Sequence, residues 1–546
     1  MHLRTGYHFV ALLYLVSGED GQFLARQMQD AATLSEEQAE KKEVKREEFS
    51  DEGQGVAYTL LGTTSFGLMA AYLAHWNDDD VRRYTFDVLS MATSIFISLL
   101  AFSNVKYALQ HALSVADDGA DNAGFLCILG YSMFIVWFVA LLFIIGFSAG
   151  LVCPLIPDEQ IGLEAWVIDD QALIAHKELV DPNRIVYKRW GRAIATDEDG
   201  HPIFCRHRNL AMEHIEGRMR SLTVFFSHST AFASIYAGVC LMRLPFFAQN
   251  VGLSLIAFLM HLVVVFVVFR AGEIFSCRGK LDQLVDLFFD SVDEAEVDVL
   301  GLSASYLFVF CLAFGITGVQ SNFELYQLPS STSFTKGIGI LACGLVVLAS
   351  SVALVVLWHR RANEPTFRTK VRELLQSGLS LVFSWCSIRA VQWASIDLCK
   401  KHVFALLPAS LIVKLASALI ISAASFMLIL PLDKIEDSIR DLRGTGRIFK
   451  DVIIALGVVV GVSWEPVFNK SIAVVSHTYS NPVLWQLLIA LILVAVMLPA
   501  WKRFILSQQV IYSQATHERR SRSYLTKDND VLLASHDKDT RGCSLR

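Results

Sequence analysis

The sequence predicts an all-α protein: a polytopic transmembrane helical bundle with about 11 spans. Hydrophobic residues make up 53% of the 546 residues and charged residues only 18%, whereas an average soluble protein is about 25% charged. The apolar residues come in runs of about 20, the length at which a helix crosses a bilayer. These observations exclude a soluble globular protein, a disordered chain and a fibrous repeat. The net charge of −6 excludes a generally basic surface for nucleic acid.

The amino terminus predicts a secretory signal peptide over residues 1–18. A short basic start precedes the apolar run Phe9–Val16, and Val16 and Gly18 are small residues at the −3 and −1 positions of a cleavage site. Eight apolar residues are too few to span a bilayer. The alternative is an anchor that lies in the membrane interface. Residues 19–56, rich in Glu, Lys and Gln, are then a charged extracytoplasmic leader.

Eleven apolar segments follow the leader, and each predicts one span. They cover residues 57–76, 85–105, 124–152, 221–243, 250–270, 299–319, 337–358, 377–397, 403–431, 451–471 and 483–501. The first three form a transmembrane block at 57–152. The eighth segment is amphipathic and carries Arg389, so it either crosses the bilayer or lies on its surface.

Lys and Arg residues concentrate in alternate connections, which sets the predicted orientation by the positive-inside rule. The basic connections are 153–220, 271–298, 359–376, 432–450 and the tail 502–546. We therefore expect an integral protein of the secretory pathway, in the plasma membrane or an endomembrane. Its amino terminus is predicted to be outside or lumenal and its carboxyl terminus cytoplasmic. Lys400 and Lys401 run against this assignment.

Two cytoplasmic segments differ from the spans. The loop 153–220 alternates apolar and polar residues in RIVYKRWGRAI and has a turn signal in DEDGHP, which predicts a small hairpin. A loop of about 70 residues is too short for a large independent core. The tail 502–546 is predicted to be disordered.

Two connections share one acidic pattern, L-D-x-φ-x-D-x-φ-x-D, at Leu281–Asp290 and Leu432–Asp441. Aspartates at i, i+4 and i+8 form one stripe on a helix, so each segment predicts an amphipathic helix at the membrane surface. Each follows the second span of a block of four. This favours a parallel repeat with copies at 221–358 and 359–501. The alternative is a likeness of composition alone.

Charged side chains at membrane depth are costly and are usually functional or paired. Arg389, Lys414 and Glu465 lie deep in the eighth, ninth and tenth spans. Pro466 directly follows Glu465 and predicts a kink or break in its helix, beside the polar residues Trp464, Asn469 and Lys470. The pattern predicts a substrate or ion pathway between these spans. Two cations against one carboxylate favour an anionic substrate, or an anion exchanged with protons.

Two other interpretations of the polar residues stay open. Lys414 and Glu465 alone would make a self-neutralising pair that only locks the helices together. His228 in the fourth span and His261 in the fifth are weaker candidates for a proton relay.

The sequence contains none of the Walker A, GxGxxG, HExxH, GxSxG or kinase motifs. The 10 cysteines include no CxxC pair, so no cofactor or metal is expected. We predict a secondary transporter or channel for a small solute or ion, in contact with the lipid bilayer. The alternative is a scaffold, sensor or receptor that binds cytoplasmic protein partners or forms a homo-oligomer. A lone Glu465 without a second catalytic group argues against an intramembrane enzyme.

Overall fold

A computed structural model describes most of the predicted membrane region. The described residues are 51–114, 122–149, 164–167, 185–187, 193–195, 206–275, 282–320, 333–359, 366–401, 409–439, 445–509 and 512. The predicted signal peptide, the leader up to residue 50 and the tail beyond residue 512 lie outside them.

Eleven α-helices occupy the described residues, and each predicted span overlaps one of them. The helices are α1 Asp51–Ala74, α2 Asp79–Ala112, α3 Ala123–Ser148, α4 Leu210–Met242, α5 Val251–Phe275, α6 Asp282–Thr317, α7 Phe334–His359, α8 Thr366–Lys401, α9 Ala409–Ile439, α10 Thr445–Ser476 and α11 Pro482–Ala500. A 3-10 turn at Phe247–Gln249 precedes α5, and a π-helical turn at Trp501–Leu506 follows α11.

Nine segments of the described chain are long and apolar enough to cross a membrane. They lie in every helix except α1, whose apolar part is the shorter Thr59–Ala74, and α8. The prediction of a multi-pass helical membrane protein is therefore confirmed. Local signals in the sequence set some helix ends: Asp78 caps α2 by accepting a hydrogen bond from the backbone N–H of Asp80, and Asn481 with Pro482 begins α11.

The even-numbered helices form an inner ring. α2 packs on α4, α4 on α6, α6 on α8, α8 on α10, and α10 on α2, which closes the circuit. The odd-numbered helices α3, α5, α7, α9 and α11 pack outside it. In their most apolar stretches, 72–83% of the residues of α2, α4, α6 and α10 are buried, against 22–44% in these five outer helices. We call the five even-numbered helices the inner ring.

The helices of the inner ring all run in the same direction. Ser98 and Gln110 of α2 bond to Phe225 and Tyr236 of α4, so the contacts advance together along both helices. The same order holds between α4 and α6, between α6 and α8, and between α10 and α2. This follows from the chain path, because one outer helix separates each inner helix from the next.

α8 lies inside the bundle, which decides between the two predictions for the eighth segment. Trp385, Arg389 and Trp393 are each at most 2% exposed, and α8 contacts α6, α7 and α10. A helix on the membrane surface would leave one face in water. The polar residues of α8 therefore face protein, which explains how a helix this polar lies among apolar ones.

Packing in the two predicted repeat copies follows one order. α4 contacts α5 and α6, α5 contacts α6, and α6 contacts α7; α8 through α11 repeat these four contacts. The acidic segments do not follow this order. Asp282 begins α6, whereas Asp433 lies near the end of α9. Both predicted surface helices are therefore wrong, because each acidic segment is the end of a long helix: the first turns of α6 and the last turns of α9.

Four short strands are described in the predicted cytoplasmic loop. They are β1 Glu164–Val167, β2 Ile185–Tyr187, β3 Ala193–Ala195 and β4 Arg206–Asn209. β2 pairs antiparallel with β3, within the alternating stretch that predicts a hairpin, and β1 pairs antiparallel with β4.

Candidate functional site

One turn of α8 concentrates three buried polar side chains: Arg389, Gln392 and Trp393. Their positions, i, i+3 and i+4, place them next to one another on the helix. They are 2%, 1% and 1% exposed. We call these three residues the polar turn. Sequence analysis found Arg389 but missed the other two, although the spacing of polar residues in RAVQW was a readable signal.

Arg389 is held against α6. Its guanidinium donates to the hydroxyl of Tyr306, 3.4 Å away. The ring of Tyr306 in turn packs edge-on against Trp385, with 5.0 Å between the ring centres, and the indole N–H of Trp385 donates to Ser305 at 3.1 Å. These contacts fix the direction of Arg389 and supply no negative charge. Among the described residues, Arg389 forms no ion pair.

The other two members of the polar turn have no hydrogen-bond partner in the described part of the chain. Both amide atoms of Gln392 and the indole nitrogen of Trp393 are buried and unbonded. A buried polar group without a partner costs about 1–3 kcal/mol, and a guanidinium at mid-membrane costs about 2.5–3.5 kcal/mol or more. The fold therefore keeps a strongly unfavourable group of side chains on one turn.

Gln392 faces the interior of the inner ring. On α8, Cys386 faces α7 at Gly344, and the backbone oxygen of Ala390 and the Cβ of Trp393 face it at Gly337. Gln392 continues the stripe of Trp385 on the other side of the helix. That side lies between α6 and α10, toward the ring axis.

His228 of α4 also faces the axis, at another height. Ser227 of α4 bonds to α6, Tyr236 receives a hydrogen bond from α2, and Ala237 packs on Gly130 of α3. His228 takes the remaining side, opposite α3. It is 2% exposed, and its Nδ1 has no hydrogen-bond partner among the described residues. Among the described residues, buried unbonded polar atoms lie on three inner helices, α2, α4 and α8, and we place those of His228 and Gln392 toward the axis.

The axis between these groups is closed. Apolar residues from all five inner helices belong to one buried cluster, among them Leu99, Ile235, Leu302, Ile388 and Val458. Close packing of this kind leaves no open pore through the cluster. The structure therefore represents a closed conformation of the ring.

The charged residues predicted to share one site are only partly brought together. Arg389 points to α6, away from α10, because Ser384 is the residue that bonds to α10. Glu465 is buried in α10 and Lys414 is half-buried in α9. Trp464 connects these two helices, since its indole N–H donates to Ser422 of α9 at 3.0 Å.

Pro466 does not break its helix, and the kink stays a prediction. α10 runs without interruption from Thr445 to Ser476, with Pro466 inside it. Proline removes one backbone hydrogen bond, but packing on both sides holds the helix: Val462 and Val467 are fully buried, and Gly461 contacts α2. Neighbouring helices commonly compensate for proline in this way in membrane proteins.

Two further predicted site residues lie past Pro466. The side-chain oxygen of Asn469 accepts a hydrogen bond from Gln486 of α11 at 3.2 Å, and Lys470 is exposed. Asn469 therefore joins α10 to an outer helix, and neither residue contacts the polar turn in the described structure.

A hydrogen-bond chain that sequence analysis did not find crosses four helices. His261 of α5 lies 3.0 Å from the hydroxyl of Tyr131 in α3 and 3.0 Å from the hydroxyl of Ser234 in α4. Ser303 of α6 donates to Ser234, also at 3.0 Å. Tyr131 lines an open groove of about 550 Å³ on the outside of α3, with Cys127, Ile128, Ser132 and Ile135. His261, one of the two predicted relay candidates, is thus fully hydrogen-bonded.

No family model, curated protein or solved structure matches this chain. The fold and the apolar helices define an integral multi-pass membrane protein.

Proposed function

We propose that this protein is a secondary transporter that moves a small solute or ion along the axis of the inner ring. An anion, or exchange coupled to protons, is favoured. The observation that carries the proposal is the pair of buried, unbonded side chains, Gln392 and His228, on two helices that surround this axis.

Both side chains are energetically unfavourable in the closed structure. Neither forms a hydrogen bond among the described residues, so each destabilises the closed state by its desolvation cost. An apolar residue of similar size would pack there without that cost. Polar residues kept at such positions in membrane proteins mark substrate and ion pathways. A solute that passes along the axis would supply the missing partners.

The closed axis favours a transporter over a permanently open channel. Gln392 and His228 are buried, and apolar side chains from all five inner helices belong to one buried cluster. A transporter alternates between states that open the site to one side at a time. Five parallel helices with outer helices between them can tilt against one another without breaking backbone hydrogen bonds.

The test uses purified protein in proteoliposomes on a solid-supported membrane, with steps of pH, anions and cations. Tracer uptake covers electroneutral exchange. The variants are Gln392→Leu and His228→Leu, and Gln110→Leu is the matched control. Gln110 is also a buried glutamine of the inner ring, but it donates to Tyr236 at 2.9 Å.

We expect transport in the wild-type protein and a loss of at least about tenfold in Gln392→Leu and His228→Leu. Both variants should unfold at a higher temperature than wild type, because an unbonded polar group has been removed. Gln110→Leu should unfold at a lower temperature and keep its transport. Absence of both current and tracer uptake in wild-type protein would contradict the proposal, and a scaffold or sensor role would then replace it.

A further inference from the structure

We propose that the polar turn of α8 binds a small monovalent carboxylate. The site is argued from binding chemistry alone. Its role in selecting the transported solute rests on the proposed function above.

The first feature of the polar turn that points to a bound anion is its charge. An arginine side chain carries a positive charge in proteins, and that of Arg389 is 2% exposed. A buried cation normally has an anion beside it. In the described part of the chain, Arg389 has the neutral hydroxyl of Tyr306 as its partner. A bound anion would complete the charge balance that the described residues leave open.

The second feature of the polar turn that points to an anion is its set of N–H donors. Arginine presents a planar fork of N–H groups that matches the two oxygens of a carboxylate. Gln392 Nε2 and Trp393 Nε1 add two N–H donors, both buried and unbonded. Positions i, i+3 and i+4 keep them one helical turn from Arg389. One guanidinium balances one negative charge, which favours a monovalent anion.

The third feature is the aromatic surroundings of Arg389. Tyr306 and Trp385 pack edge-on beside Arg389 and are themselves buried. An apolar wall of this kind accepts the carbon body of a carboxylate and disfavours an anion that keeps its water shell. We therefore expect acetate or benzoate to bind in preference to chloride.

The experiment measures thermal unfolding of the full-length purified protein in detergent. Sodium acetate, sodium benzoate and sodium chloride are titrated at constant ionic strength. A ligand that binds only the folded state raises the unfolding temperature. The variants are Arg389→Met and Gln392→Glu, with Arg503→Met as the matched control. Arg503 is an exposed arginine in the turn after α11.

Gln392→Glu places a carboxylate three residues from Arg389, where it can pair with the guanidinium. This variant should therefore be more stable than wild type without ligand and should lose the response to acetate and benzoate. Arg389→Met should raise the apparent Kd by more than about tenfold, and Arg503→Met should leave it unchanged. If Arg389→Met does not fold, Gln392→Glu still tests the site by itself.

A carboxylate-specific shift in wild type that is lost in Gln392→Glu supports the site. Equal shifts with chloride, or shifts that persist in Gln392→Glu, overturn it. The two proposals fail separately. Carboxylate binding without transport in the proteoliposomes would support the site and contradict the transporter function. Transport of another solute without carboxylate binding would support the transporter function and contradict the site.

Discussion

The imidazole of His261 in α5 lies 3.0 Å from the hydroxyl of Tyr131 in α3, and this contact continues through Ser234 to Ser303. Ser303 donates to Ser234, and each hydroxyl has one hydrogen to give. A neutral imidazole completes the chain if its Nε2 accepts from Ser234 and its Nδ1–H donates to Tyr131. Both ring nitrogens of His261 then have a partner, and this chain of hydrogen bonds carries no charge.

His261→Leu should destabilise the protein more than Tyr131→Phe does. The first change removes two hydrogen bonds and leaves the fully buried Ser234 with one partner fewer, which costs about 1–3 kcal/mol. The second removes one interhelical bond, worth about 0.6 kcal/mol in a membrane protein. Thermal unfolding in detergent measures both. An equal loss in the two variants would show that the chain is not energetically connected through His261.

The contact between α2 and α10 predicts a strong effect of one methyl group. A Cβ on Gly461 would lie 2.5 Å from the backbone oxygen of Ala92 and 3.0 Å from Ile95. Backbone cannot move away cheaply, so Gly461→Ala should destabilise the bundle by about 1–3 kcal/mol. The matched control is Gly339→Ala in α7, where a Cβ meets nothing within 4 Å. That change should be neutral or stabilising, because alanine favours helix. If both variants behave alike, the inner ring is looser than this contact implies.

The sequence predicts the helices of this fold well but not their arrangement. Hydropathy is a local property, so each apolar segment overlaps one helix. The division into inner and outer helices depends on contacts between distant segments, such as Ser98 with Phe225. The sequence did contain one sign of this division: the fourth span carries Ser, Thr and His residues, and it forms one of the buried inner helices. The acidic stripes led to the wrong prediction of separate surface helices, because the spacing of residues along a helix does not fix where that helix begins.

The candidate site was predicted only in part for a related reason. Arg389 is visible in the sequence because a charge stands out in an apolar run, whereas Gln392 and Trp393 are unremarkable until their burial and missing partners are known. Glu465 and Arg389 lie in neighbouring inner helices, and the depth in the membrane suggested a shared site. The position of Arg389 around the axis of α8 directs its side chain to α6 and not to α10.

Trp501 is one of the residues that fix the segment after α11 to α2, beside Gln509, which donates to Asp87. Trp501 is 2% exposed, and its indole N–H donates to Ser90 at 3.1 Å. Trp501→Phe keeps most of the apolar contact and leaves Ser90 without that donor, so the free energy of unfolding should fall by about 0.5–1.5 kcal/mol. Trp485→Phe is the control, because Trp485 is 39% exposed and stacks on Tyr479. Differential unfolding of the two variants in detergent checks this, and a smaller loss at Trp501 than at Trp485 would refute it.

Pro466→Ala should stabilise the protein. Proline at this position leaves the backbone oxygen of Val462 without its usual donor, and Val462 is fully buried inside a continuous helix. Alanine restores the N–H and fits the same backbone, so the unfolding temperature should rise by an amount equivalent to about 1–3 kcal/mol. Pro499→Ala near the end of α11 is the matched control, since that helix is mostly exposed outside the ring. A lower unfolding temperature in Pro466→Ala would mean that the surrounding helices are shaped to the proline. If transport also falls in Pro466→Ala while stability rises, the missing hydrogen bond serves the movement of α10.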